Sequence, residues 1–173
     1  MKIFDCTTFF NENLMLEVRF NILNKYVDKF VIAEAKYSHS GETKKLNFNI
    51  KKFSEFKSKI IYLVVENEPE NLNYQKNNNT IYEKDVDMRP NSIKRISLQR
   101  NKLLDVLNEA DNEDYIFYSD NDEIPNLEGV DFEINQNKIL IFKQKLFYYK
   151  FNLYCDRVDW YGTKGCQKKD LIS

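Results

Sequence analysis

The sequence has one histidine and three cysteines, Cys6, Cys155 and Cys166, none in C-x-x-C spacing. That leaves too few soft ligands, wrongly spaced, for a structural zinc site. An odd cysteine count without a secretion signal points to reduced thiols and a cytoplasmic setting. A long apolar run is missing too. "MKIFDCTTFF" is interrupted too soon for a signal peptide or a membrane span, so any membrane association would be peripheral. Neither charge sign is in excess: 26 Lys and Arg face 27 Asp and Glu, a net charge of -1. No overall field therefore favours nucleic acid or an anionic membrane. The pairs Lys44–Lys45, Lys51–Lys52 and Lys168–Lys169 read as solvated surface. Internal repeats and low-complexity linkers are also lacking, so residues 1–173 read as one domain.

What is present is a packed core. Hydrophobic residues make up 42% of the chain, with 13 Phe and 11 Tyr, which excludes a disordered protein. "KIFDCTTFF" reads as a buried opening strand. Leu16, Phe20, Leu23 and Val27 then recur at helical spacing, with Asn11 or Asn13 as a cap. "KFVIAEA" and "IIYLVV" read as strands covered on both faces, with a helix-like "IKKFSEFKSK" between them. From Glu66 to Pro90, through the Asn77–Asn79 run, the chain reads as a long polar loop. A helix is expected from Asn91 or Ser92, its apolar stripe running through Ile93, Ile96, Leu103 and Leu107, followed by the strand "DYIFYSD". "KILIFKQKLFYYKFNLY" is expected to hold two strands meeting near Lys143 to Lys145, and the tail after it shows no clear period. Strand–helix alternation with short links predicts an α/β fold with a mixed, mostly parallel sheet and flanking helices.

The chemistry concentrates in "DYIFYSDNDEIP". Here a strand drives into Asp120, Asp122 and Glu123, like charges crowded at its carboxyl end, where α/β folds bind ligands. Two carboxylates one residue apart in a tight turn can share a hard cation such as Mg²⁺ or Mn²⁺. Pro125 stiffens the exit and also excludes an EF-hand, which needs glycine there. The bland alternative is a solvated acidic turn. Arg100 falls between Ile96 and Leu103 on the stripe expected to face the sheet, from where it would brace the acidic turn or clamp a diphosphate. Glu34 ends the second strand and could accept bonds from a base or ribose, or simply cap a loop. Lys44 follows a glycine-containing loop and could meet phosphate. The group Phe147, Tyr148, Tyr149, Phe151, Tyr154 and Trp160 reads as core or as a wall for stacking sugars.

Five stretches occur in an order that resembles glycosyltransferase family 17. They are "DCTTFFNENLMLEVRFNILNKYVDKFVIAEAKYSHSGETKKLNF", "QRNKLLDVL", "SDNDEIP", "FYYKFNL" and "WYGTKG". The resemblance, to bisecting N-acetylglucosaminyltransferases in particular, spans nearly the whole chain. It implies a GT-A-like fold related to Rossmann folds, a UDP-N-acetylglucosamine donor, a glycan acceptor, and Mn²⁺ or Mg²⁺. On that likeness Asp120 and Asp122 hold the metal, with Asp122 favoured for direct coordination, while Asp120, Glu34, Lys44 and Arg100 meet the donor. Asn121 departs from the often apolar middle position of the motif. Tyr149, Asn152 and Trp160 are assigned to the acceptor, and Glu123 or Asp159 supplies the base that an inverting transfer needs. Family members usually continue well past the equivalent of "WYGTKG", so this single domain is expected to lack their acceptor portion. A domain that keeps the donor pocket without turnover is the alternative.

Overall fold

The computed structural model describes residues 1–73, 81–149 and 152–171, with side chains along the helix Ile81–Lys102 described from Met88 onward. Its strands are β1 (Ile3–Phe9), β2 (Lys29–Ala35), β3 (Ile60–Val65), β4 (Tyr115–Ser119), β5 (Leu140–Phe147) and β6 (Tyr154–Gln167). Its helices are α1 (Asn13–Leu23), α2 (Ile81–Lys102) and α3 (Lys168–Leu171), with 3₁₀ segments at Ile50–Lys59 and Leu103–Asn108. Among the described residues no helix is long and apolar enough to cross a membrane. Asn77–Asn79 and Phe151 lie outside the described residues.

The sheet is mixed, in the order β3-β2-β1-β4-β6-β5. β1 pairs in parallel with β2 and β4, and β2 with β3, whereas β6 runs antiparallel to both β4 and β5. Side-chain alternation sends Ile3 and Phe9 of β1 to one face and Phe4 and Cys6 to the other. The first face packs against Leu16, Phe20 and Leu23 of α1 and Phe53 and Phe56 of the 3₁₀ segment. The second packs against Leu103, Val106 and Ala110. Burial on both faces is why β2 and β4 read as continuous apolar runs.

From β1 the chain moves outward to β2 and β3, then returns through α2 to place β4 on the other side of β1. The two connections part above the carboxyl ends of β1 and β4, which opens a crevice there.

Three expectations need correction. α2 begins at Ile81, inside the stretch read as loop, and carries Pro90 within it. Its inward residues are Asn91, Arg95 and Gln99, four apart, a row that Leu103 continues in the following 3₁₀ segment, while Ile93 is exposed. The polar groups turn inward because they meet backbone. Asn91 exchanges two 2.8 Å bonds with the amide and carbonyl of Asn73, and Gln99 Nε2 donates to the carbonyls of Phe9 and Ala33 at 3.1 and 2.9 Å. Next, Lys143–Lys145 lies inside a single strand, β5, which runs on to Phe147, and the next strand starts at Tyr154. Finally, the unpatterned tail forms β6. Only Lys164–Gln167 of β6 pairs with β4. The residues from Tyr154 to Thr163, on the order of 30 Å of strand at about 3.3 Å each, pair with β5 alone and form an arm running past the end of β4. Exposed from Tyr154 to Tyr161 apart from the half-buried Cys155, that stretch has none of the one-sided alternation by which strands are read.

Candidate functional site

At the crevice the structure holds a cleft of about 520 Å³. β1 and the start of α1 supply Thr8, Phe9, Phe10, Glu12 and Met15. The loop after β2 supplies His39, α2 supplies Ile96, Gln99 and Arg100, and the turn after β4 supplies Asp120, Asn121 and Asp122. The acidic turn therefore lines a cleft at the strand ends.

Its shape comes from a residue that the sequence reading passed over. Arg19 is fully buried on the α1 stripe between Leu16 and Leu23. Its Nε donates to Asp5 Oδ2 at 2.7 Å and its Nη2 to Asp5 Oδ1 at 2.6 Å, a two-bonded pair. Nη2 also reaches Ser119 Oγ. Nη1 faces the carbonyls of Asp120, Asn121 and Glu123 at 3.2, 3.3 and 3.1 Å. Converging carbonyls repel one another unless a cation lies among them, and here Arg19 is that cation. The turn closes with the Glu123 amide donating to the Asp120 carbonyl at 3.0 Å, while Thr163 Oγ1 donates to the Glu123 carbonyl at 2.7 Å. A charged residue on an apolar helical stripe, together with Asp5 inside a buried strand, was the available signal.

The two aspartates differ. Asp120 accepts from Arg100 Nη2 at 3.1 and 3.3 Å and from the Tyr118 hydroxyl at 3.2 Å. Burial, and then the Asp120 charge, push the Tyr118 hydroxyl well above its ordinary pKa, so it remains a donor. The Asp122 carboxylate is exposed and has no hydrogen-bond or ion-pair partner among the described residues. Between them, Asn121 is buried and its Oδ1 is unpartnered. No group of three or more His, Cys, Asp or Glu able to hold a metal occurs among the described residues. Two carboxylates on one cleft nevertheless fit a hard divalent cation of the kind that takes one or two protein carboxylates and completes its shell with phosphate and water.

The other nominated residues scatter. Arg100 faces Asp120 but lies on the flank of α2, about half exposed, rather than on its inward stripe. Glu34 is fully buried at the end of β2, and its carboxylate is already engaged. It pairs with Lys44 and accepts from the amides of Asn47 and Phe48 at 2.7 and 3.0 Å and from the Tyr62 hydroxyl at 2.8 Å. Lys44 is thereby committed to Glu34 rather than to the cleft, which it touches only by lying over the Phe10 ring, 5.2 Å from its centroid. Glu123 accepts from the Asp120 amide at 3.0 Å and from Trp160 Nε1 at 2.9 Å, so Trp160 stands beside the acidic turn. Asp159 does not line the cleft and is paired with Lys143 at 2.6 Å. Tyr149, 99% exposed at φ 58°, and the exposed Asn152 sit at the tip of the β5–β6 arm, apart from Trp160 along the strand. Four polar cleft residues were missed: Glu12 and His39, displayed by loops too irregular to read, and Thr8 and Gln99, which looked like ordinary strand and helix positions.

The sequence model described as Glycosyltransferase family 17 matches residues 1–170. No curated protein and no solved structure gives a significant match.

Proposed function

The chain belongs to glycosyltransferase family 17, and we propose that its cleft binds a nucleotide-sugar diphosphate through a divalent cation at Asp120 and Asp122. The observation that carries this reading is the Asp122 carboxylate, free of partners among the described residues and beside Asp120 on a cleft where the sheet connections part. The unpartnered Oδ1 of Asn121 between them supports it. The parallel core with its ligand edge also supports a GT-A-like sheet, and the likeness to bisecting enzymes favours UDP-N-acetylglucosamine as donor. Bound there, Mn²⁺ or Mg²⁺ would supply Lewis-acid stabilisation of the departing diphosphate.

The protein groups divide the remaining work. Arg100 faces the same space and supplies a guanidinium for phosphate oxygens. Glu123 is the better-placed base of the two candidates, since it belongs to the acidic turn itself and Trp160 and the Asp120 amide orient its carboxylate, whereas Asp159 is paired with Lys143 along the β6 arm. In the transfer, an acceptor hydroxyl oxygen bonds to the anomeric carbon, its proton passes to Glu123, and the sugar–phosphate bond breaks with its electrons leaving on the diphosphate. Glu123 forms its side-chain contacts before substrate arrives, so its orientation costs nothing at the moment of reaction. Trp160, aromatic and 41% exposed next to that carboxylate, is suited to stack an acceptor sugar.

Isothermal titration of UDP with and without Mn²⁺, coupled to an assay of UDP released from UDP-N-acetylglucosamine in the presence of glycans, tests this reading. Cation-dependent binding with glycan-dependent release supports it. Binding without turnover on any glycan favours the donor-binding alternative, and absence of UDP binding in either condition rejects both.

A further inference from the structure

Among the described residues, Arg100 and Asp120 form the only ion pair on the cleft's acidic turn, and it is a loose one. Nη2 lies 3.1 and 3.3 Å from the two carboxylate oxygens, with the side chains 46% and 48% exposed. The guanidinium carbon sits 5.5 Å from the Tyr118 ring centroid, a resting place that leaves the group exposed to solvent. Arg19, by contrast, is locked in six bonds and cannot leave. One of the turn's two cations is therefore structural and the other exchangeable.

We propose that Arg100 is a resident counter-ion which holds the cation's place at Asp120 and turns to the diphosphate once Asp120 is taken. The inference rests on the metal–diphosphate reading of the cleft and adds an order of events to it. Asp120 is half-exposed, so its charge can be offset either by Arg100 or by a divalent ion, but service to both is mutually weakening. With Asp120 taken, the guanidinium stands beside extra positive charge, while the Tyr118 ring it lies over carries no charge to offset its own. A diphosphate relieves that repulsion and accepts the fork of N–H donors. Cation alone should therefore bind weakly and nucleotide alone weakly, with each strengthening the other by the same factor.

The test is a pair of titrations on the wild-type chain, Arg100→Gln and Arg100→Lys: Mn²⁺ alone, followed by electron paramagnetic resonance of the free ion, and UDP at saturating Mn²⁺. Arg100→Gln should bind Mn²⁺ alone several-fold more tightly yet bind UDP with Mn²⁺ about tenfold more weakly, as expected for losing one charge-assisted bond. Arg100→Lys should stay near wild type for Mn²⁺ alone. If Arg100→Gln binds Mn²⁺ no better than wild type while wild type shows cation-dependent UDP binding, the placeholder role is overturned and the cleft reading stands. If wild type itself shows no cation-dependent UDP binding, both fall.

Discussion

Arg19 and Asp5 form a buried two-bonded pair beneath the acidic turn, and the same guanidinium donates to three of that turn's carbonyls. The middle of α1's inward face thus fixes the loop after β4. Removing one partner strands a buried charge, so Arg19→Met should cost on the order of 3–5 kcal/mol in a urea titration. Replacing both, as Arg19→Met with Asp5→Leu, should recover much of that loss, because an apolar pair of similar volume needs no counter-charge. UDP binding with Mn²⁺ should nonetheless stay impaired in the double variant, since the three carbonyls have still lost their donor. Full recovery of binding would make Arg19 purely structural.

Asp122 has no partner to lose among the described residues. Asp122→Ala should leave the melting temperature nearly unchanged, within the ±0.5 kcal/mol or so typical of exposed positions, and abolish cation-dependent UDP binding. Unfolding of the variant would instead make the acidic turn structural.

Glu34 should behave in the opposite way. Its carboxylate organises the loop through Lys44, Asn47, Phe48 and Tyr62, so Glu34→Ala leaves buried donors unsatisfied, at about 1–3 kcal/mol each. Stability measured by urea should fall, with UDP affinity little changed at temperatures where the variant stays folded. Lost affinity at full stability would restore the nucleotide-facing role that the end of β2 suggests.

Alkaline pH should destabilise the protein. Burial, reinforced by the Asp5 charge, raises the Cys6 thiol; burial and then the Asp120 charge raise Tyr118, and burial with the Glu34 bond raises Tyr62. Each folded-state pKa lies above its unfolded value, so the associated stability is complete below that value and drains away as pH climbs past it. Losses should begin near 9.0 for the thiol and 10.0 for the phenols. The urea midpoint should fall progressively as pH rises above 9.0 and more steeply above 10.0, and Cys6→Ala should flatten the early part of the fall.

Much of this was legible beforehand. "KFVIAEA" occupies β2 because a strand buried on both faces leaves an unbroken apolar signature, and "IIYLVV" occupies β3, though as a half-buried edge strand rather than one covered on both faces. The acidic turn was legible because like charges after such a run demand an explanation. Two other features were hidden. α2 turns Asn91, Arg95 and Gln99 inward to meet backbone and loop groups, so an apolar count selects the wrong face and misplaces Arg100. β6 has no solvent-and-core alternation along its arm, so nothing marks it as a strand. Arg19 was visible in principle: the question asked of Arg100, why a guanidinium sits on an apolar stripe, applies to it with more force.

Crystals grown with Mn²⁺ and UDP, recorded at the manganese absorption edge, test the acidic turn most directly. The account predicts one anomalous peak within about 2.0–2.3 Å of an Asp122 carboxylate oxygen, with diphosphate oxygens on its far side and the Arg19 bonds unchanged. A nucleotide bound with no metal at that carboxylate, or a peak held elsewhere on the chain, would contradict it.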